Sequence, residues 1–357
     1  MLRFYTYKIP FQTPFSISGA VYEFREGVIV EFDHEGILAF GEIAPLPGFS
    51  DFSLDQVISV LQLNKEALEN ALIKSEFPQF FYVLSQIHNI PSLKFGLDTL
   101  YHDYLAKQKG ISLAEYLFPE LSTTKIPSNA VLSLKDVRLS LHSARKMIQD
   151  GFNTLKVKVG SNFEKEFHLL NALRSEHPSV KIRVDCNQSW KFDEAVSNLS
   201  QLEPLNIEYC EEPLISNEIH QLSLLKKQTS IKLAADETIR NKKDVQMLSV
   251  QNGFDVFILK PMMIGSFSEI YVTKQQANSH YIDMVFTTSL ESKIGRIITA
   301  ILAQGWGTKK YAHGLATGSL LSYDLNDGNE MNSGSYVIPD KPGIGIDLNY
   351  KYLKEIK

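Results

Sequence analysis

The chain has 357 residues, 44% hydrophobic and 22% charged, which excludes a disordered chain and leaves room for a large core and two domains. A net charge of -5 with no long basic run excludes the electrostatic footprint of a nucleic-acid or anionic-membrane binder. No run reaches the length of a membrane span, and polar groups interrupt the N-terminal MLRFYTYKIPF too often for a secretory peptide, so a cytoplasmic location is expected.

Residues 1–44 read as an antiparallel meander of LRFYTYKIPF, YEFREGVIVEFDHEG and ILAFGEIAPL, with His34, Glu35 and Gly36 making the second turn. TPFSISGA after the first run and PLPGFSDFS after the third are rich in Pro, Gly and Ser. Loops at residues 15–19 and 47–49 suit a mobile lid, with Ser18 and Phe49 as candidate substrate contacts; plain connecting turns are the competing reading. From Ser53 to about Phe118 apolar residues recur at helical spacing, first at Val57, Val60, Leu61, Leu68 and Leu72, then at Phe95, Leu97, Leu100, Tyr104 and Leu105. The expectation is an α+β first domain over residues 1–122, closed by the turn-forming STTKIPSN.

The second domain, residues 123–318, is expected to open with a strand in NAVLSL and a helix over 136–149 that Gly151 ends. Five further strand-like runs follow: TLKVKVG, IRVDCN, NIEYCEE, KLAADE and FDVFILKP. Each delivers ionisable side chains at its end, and the steps from Lys158 to Asp185, Glu211, Asp236 and Lys260 are 27, 26, 25 and 24 residues. That interval is one strand, one helix and two short loops, the period of a β/α barrel. Strand seven is read in DMVFTTSL and a short eighth near KYAHGL. The tail, 319–357, reads as irregular chain returning to the first domain.

In such a barrel the carboxyl ends of the strands share one mouth, so these charges converge. Asp185, Glu211 and Asp236 offer only oxygen, which suits Mg²⁺ better than zinc. Lys156 and Lys158 are two apart on a strand and point to the same face. Two buried ammonium groups repel by roughly 4 kcal/mol at 4 Å in an effective dielectric near 20, which is expected to make Lys158 a base at neutral pH. Asn187 faces the same way as Asp185, and Glu212 and Glu237 start loops at the rim. Lys260 stands across the mouth, where it can stabilise negative charge or exchange a proton. A lysine base, a divalent cation and an opposing lysine suit removal of a proton α to a carboxylate, so a small-molecule carboxylate substrate is expected. Strand alternation turns Cys186 and Cys210 away from the carboxylates, as reduced packing residues.

These residues resemble the enolase superfamily and its muconate-lactonising-enzyme subgroup over essentially the whole chain. The subgroup's K-x-K, D-x-N, E-[EQ]-P, D-E and strand-six lysine stand here as Lys156-Val157-Lys158, Asp185-Cys186-Asn187, Glu211-Glu212-Pro213, Asp236-Glu237 and Lys260. The resemblance implies a (β/α)7β barrel with an α+β capping domain, and Mg²⁺ that Mn²⁺ can replace. Within the subgroup, REG (25–27), GEIAPLPGFS (41–50), LKPMMIGS (259–266) and TTSLESKIG (287–295) are similar to the o-succinylbenzoate synthase family. That similarity implies syn-dehydration of 2-succinyl-6-hydroxy-2,4-cyclohexadiene-1-carboxylate in menaquinone biosynthesis. Lys158 would be base and then acid, Lys260 the stabiliser of the enediolate, and Lys156, Asn187 and Glu237 their support. Thr288, Ser289 and Gly314 are further candidate substrate contacts. The sequence departs from many relatives at Ala316, where they carry an acidic residue; His313 reads as structural.

The same two lysines would serve an N-acylamino acid racemase or a dipeptide epimerase. The aspartate pair typical of the latter is missing from TTSLES and AHGLATG. A non-catalytic metal- or ligand-binding barrel is a third reading, set against by the complete charge set. A homo-oligomer is left open.

Overall fold

The computed structural model describes residues 1–356 apart from 18–19, 75–76, 88, 122, 134–135 and 161, so the Ser18 candidate lies outside the described residues. Strands β1 (Leu2–Ile17), β2 (Ala20–His34) and β3 (Ile37–Ile43) form the antiparallel meander. Glu35 and Gly36 both take positive φ, +52° and +79°, as a tight two-residue hairpin turn requires. The first hairpin is longer than the sequence suggests. After a register shift between Pro10 and Phe15, pairing resumes at Phe15 with Tyr22 and reaches Ile17 with Ala20, so the expected loop at 15–19 is mostly strand. Prolines at 10 and 14 interrupt the ladder because they lack an amide hydrogen, while Phe15, Ile17, Val21 and Tyr22 favour resuming it.

Side-chain alternation gives this sheet two buried faces. Leu2, Phe4, Val28, Val30 and Phe32 pack against the helices Leu54–Leu63, Lys65–Lys74, Phe77–Gln86 and Pro91–Gln108. Tyr7, Ile9, Ile29 and Phe40 face the other way, into the core shared with the barrel. The helix Pro91–Gln108 crosses β3 almost backbone to backbone: a methyl group on Gly41 would lie 2.0 Å from the Gly96 carbonyl oxygen, and one on Gly96 2.5 Å from that of Glu42. Only glycine fits at either position.

After β4 (Lys125–Pro127) come seven parallel strands: β5 (Ala130–Leu132), β6 (Thr154–Lys158), β7 (Lys181–Asp185), β8 (Ile207–Glu211), β9 (Leu233–Ala235), β10 (Val256–Leu259) and β11 (Asp283–Phe286). They lie side by side in chain order, with helices between them, and two residues close the ring. His313 bridges Ser128 and Gly314 bridges Thr287, so the eighth strand is this short. Tyr209, Ala234, Val256, Ile258, Val285 and Tyr311 fill the interior below the mouth, so the barrel is a packed core. Arg183 adds to that plug, stacked 4.6 Å from the Tyr209 ring and bonded to Glu208, Asn129 and the Ala312 carbonyl.

The C-terminal segment is more ordered than the expected irregular tail. β12 (Met331–Asn332) pairs with β13 (Ser335–Val337), which in turn pairs with β4, and β14 (Leu353–Glu355) pairs with β1, Tyr5 opposite Glu355. Among the described residues no helix is long and apolar enough to cross a membrane.

Candidate active site

Parallel register sets the ionic row. Lys158 lies opposite Asp185 and Asp185 opposite Glu211, so the ends of β6, β7 and β8 present their side chains abreast. Lys156 Nζ sits between Asp185 Oδ2 at 3.0 Å and Glu211 Oε1 at 2.7 Å. Lys158 Nζ reaches Asn187 Oδ1 at 2.6 Å and Asp185 Oδ2 at 3.3 Å, and its side chain remains 40% exposed to the mouth. Lys260, just past β10, is paired with Asp236, just past β9.

The electrostatics differ from simple repulsion between the two β6 lysines. Burial disfavours the Lys156 ammonium, but Asp185 and Glu211 outweigh it and raise its pKa well above the usual lysine range. Lys156 is therefore a fixed positive charge. Burial also works against ionised Asp185, yet Lys156 and Lys158 hold it down to about 2. Glu211 has no second lysine: burial, then the neighbouring Asp185 carboxylate, push it well above the ordinary range despite Lys156. Glu237 is lifted to about 7 by burial, then by Asp236 and Asp185. For Lys260, burial is overcome by Asp236 and Glu237, and its pKa is raised.

Other side chains fix the ends of these strands. Glu212, expected at the rim, is buried; its carboxylate accepts the backbone N–H groups of Asp236 and Thr238, both at 2.8 Å, and so orients Asp236. The sequence clue is that Glu212 follows an inward-facing residue and must point the other way. Asn187 links Lys158 to Glu237, donating from Nδ2 to Oε1 at 2.7 Å. Asn187, Gln188 and Leu290 line the mouth at φ +43°, +60° and +63°, conformations that cost energy outside glycine and gather where geometry serves function.

The roof comes from the first domain. Buried Arg25, of the REG motif, donates to the carbonyls of Ala44 and Pro45 and holds the chain entering the second loop. That loop sets the Phe49 ring over Lys260, Nζ 4.9 Å from its centre, a cation–π contact. Glu42 joins two stretches 250 residues apart, accepting from Ser292 N at 2.7 Å, Ser292 Oγ at 2.6 Å and Gly295 N at 2.8 Å. It thereby caps the helix Lys293–Trp306 from another domain, which sequence reading did not find.

Opposite the ionic row, the candidate contacts line the mouth with their polar groups committed. Thr288 Oγ1 pairs with Thr317 Oγ1 at 2.7 Å, and Ser289 Oγ donates to Glu291 at 2.8 Å. Gly314 is close against Thr287, whose Oγ1 would lie 2.3 Å from a Cβ there. His313 accepts the Phe286 N–H on Nδ1 at 3.0 Å, a structural role. Cys186 and Cys210 are buried free thiols facing each other at 3.4 Å, behind the carboxylates.

The residues fit a cation. Two carboxylates share the Lys156 ammonium, Glu211 remains under-neutralised, and Glu237 Oε2 is buried without a hydrogen-bond partner among the described residues. As the side chains stand, lysines hold the carboxylates and no group of three metal-ligating side chains is gathered among the described residues. The donor set is oxygen, matching a hard divalent ion.

Residues 140–352 match the family described as Enolase C-terminal domain-like, and residues 1–102 match MenC, N-terminal domain. An N-succinyl-L-Arg/Lys racemase of Bacillus cereus is 25% identical, the match covering 99% of this chain and 96% of that protein. An o-succinylbenzoate synthase of Listeria innocua is 23% identical over 98% and 93%. The dipeptide epimerase of Cytophaga hutchinsonii, solved with Mg and the dipeptide D-Ala-L-Val, has the same fold at TM-score 0.85 and 23% identity, covering 99% and 98% of the two chains. The chain belongs to the enolase superfamily, and its strand-end pattern of Lys156, Lys158, Asp185, Glu211, Asp236 and Lys260 matches that of the muconate-lactonising-enzyme subgroup.

Proposed function

We propose that this protein is an o-succinylbenzoate synthase, a lyase that removes water from 2-succinyl-6-hydroxy-2,4-cyclohexadiene-1-carboxylate. The observation that carries this reading is the placement of two lysines at opposite ends of one carboxylate row, Lys158 beside Asp185 and Lys260 beside Asp236. Asp185, Glu211 and Asp236 would hold Mg²⁺, or Mn²⁺ in its place, which supplies Lewis-acid polarisation of the substrate carboxylate. Lys158, as the neutral amine, takes the α proton. Lys260, held as an ammonium, stabilises the negative charge that develops on the carboxylate oxygens. Because the elimination is syn, the Lys158 ammonium stands on the face from which hydroxide leaves and returns the proton to it, so one substrate gives o-succinylbenzoate and one water. Asn187 orients Lys158, and Phe49 helps exclude bulk water.

The match of residues 1–102 to MenC, N-terminal domain supports the synthase, and so does the neutral arc. Among the described residues, 287–290 and 314–319 carry no carboxylate to hold a substrate amine, and buried Glu291 is engaged by Ser289 and Thr299. That weighs against a dipeptide epimerase. Racemisation of N-succinylamino acids is the second reading, supported by the same opposed lysines and by the B. cereus relative.

The test is incubation with the cyclohexadiene substrate, with Mg²⁺ and with chelator, beside an N-succinylamino acid in D₂O. Metal-dependent formation of o-succinylbenzoate is expected. Racemisation of the N-succinylamino acid without any dehydration would replace the synthase by the racemase.

A further inference from the structure

Behind Phe49 the mouth of the barrel meets a second, smaller cavity of about 320 Å³. Leu46, Phe49, Arg240 and Ser289 line both spaces and so form the doorway between them. Residues 44–46, 49–52, 240–243 and 262–264 line this cavity. Residues 262–264 follow closely on Lys260 in the chain. A substituent leaving a carbon held beside Lys260 therefore has a path under the Phe49 ring. A space of this size suits one arm of a small ligand.

The charges around the cavity are unequally committed. Glu269 is satisfied, by Lys94 at 3.2 Å, Lys242 at 2.5 Å and the Ser266 N–H at 3.0 Å. Lys242 is committed by the same pair. Three charged side chains in the lining have no ion pair among the described residues: Asp51, Arg240 and Lys243. Of these only Arg240 stands in the doorway. Its other members cannot recognise an anion, since Leu46 and Phe49 are apolar and the Ser289 hydroxyl is donated to Glu291.

We propose that this cavity receives the distal arm of the substrate and that Arg240 binds a carboxylate at the end of that arm. The inference rests on the reading of the mouth as the site where a first carboxylate is held. An arm with an apolar middle and an anionic tip matches a doorway with two apolar members and one guanidinium. The planar guanidinium can grip a carboxylate with two parallel hydrogen bonds, which a lysine cannot do. The substrate class is thus a dicarboxylate whose second acid group lies on a flexible acyl chain.

The test measures binding of 2-succinylbenzoate and 2-butanoylbenzoate to the full chain with Mg²⁺, by calorimetry. The two ligands differ only in the distal carboxylate. The wild type should prefer the dicarboxylate by roughly 10- to 100-fold, the range for a hydrogen-bonded charge. Arg240→Met should erase that preference, Arg240→Lys should retain part of it, and Lys243→Met should leave it in place. Preference unchanged in Arg240→Met, or lost equally in Lys243→Met, overturns the assignment. The two readings fail separately. A wild type that does not dehydrate the cyclohexadiene but loses its dicarboxylate preference in Arg240→Met keeps this inference and removes the synthase. A wild type that dehydrates without any such preference does the reverse, and binding of neither ligand overturns both.

Discussion

From β6 round to β10 the polar groups at the mouth are chiefly ionisable and hold chiefly one another: Lys156 between Asp185 and Glu211, Lys158 on Asp185 and Asn187, Lys260 on Asp236. From β11 to the two-residue eighth strand they are neutral and serve the fold, with Thr288 on Thr317 and Ser289 on Glu291, while His313, outside the lining, accepts the Phe286 amide. The difference separates two kinds of site residue. Charges paired with each other can exchange partners when a ligand arrives, whereas a hydroxyl donated to a buried carboxylate is part of the scaffold. Substitution in the first arc should therefore remove chemistry, and in the second it should remove stability.

The largest effect is expected at Lys158. Lys158→Ala should lower turnover by roughly 10⁴-fold and abolish exchange of the substrate α proton with D₂O, followed by NMR, because the neighbouring amine, Lys156, is held as an ammonium by Asp185 and Glu211. Lys260→Ala should lose about 10²- to 10³-fold in kcat, the scale of one oxyanion donor, with substrate binding retained. Equal and complete losses in both would break the division of labour between them. In the neutral arc, Ser289→Ala should cost about 1–2 kcal/mol in urea unfolding and change KM little. A large rise in KM without loss of stability would return Ser289 to the list of substrate contacts.

The smallest effect concerns His313. Burial first, then Arg183 and Lys309, lower its pKa to about 3, against about 6.5 for the unfolded chain. The folded protein thus keeps the ring neutral while the unfolded chain takes up a proton below about pH 6.5. The contribution to stability is complete above that pH and falls as pH drops toward 3, by at most about 1.4 kcal/mol per pH unit. His313→Asn should remove that part of the slope in denaturation midpoints measured between pH 7 and 5. An unchanged slope would show that other groups govern acid sensitivity.

The ionic row was legible in the sequence because each member ends a strand, and parallel register turns equal spacing along the chain into adjacency across the sheet. The meander and the helical first domain were legible from their periods. The pairing of 15–17 with 20–22 was not, since Pro14 and the Ser and Gly that follow it in the sequence speak for a loop while Phe15, Ile17 and Val21 are residue types that favour strands. Partnerships across the chain were also hidden. Nothing near Glu42 announces Ser292, and Lys156 could be read as repelling Lys158 because its bridge to Glu211, 55 residues on, exists only once the barrel closes.

The pairing of β14 with β1 sets a schedule for synthesis. Tyr5, Thr6 and Tyr7 meet their partners in residues 353–355, so the outer edge of the first sheet stays open while nearly the whole chain is made. At roughly 5–20 residues per second that interval is on the order of 20 to 70 seconds. During it a strand edge carrying unpaired amides is presented to every other nascent chain on the same message, and a cell that makes this protein must tolerate or shield that edge.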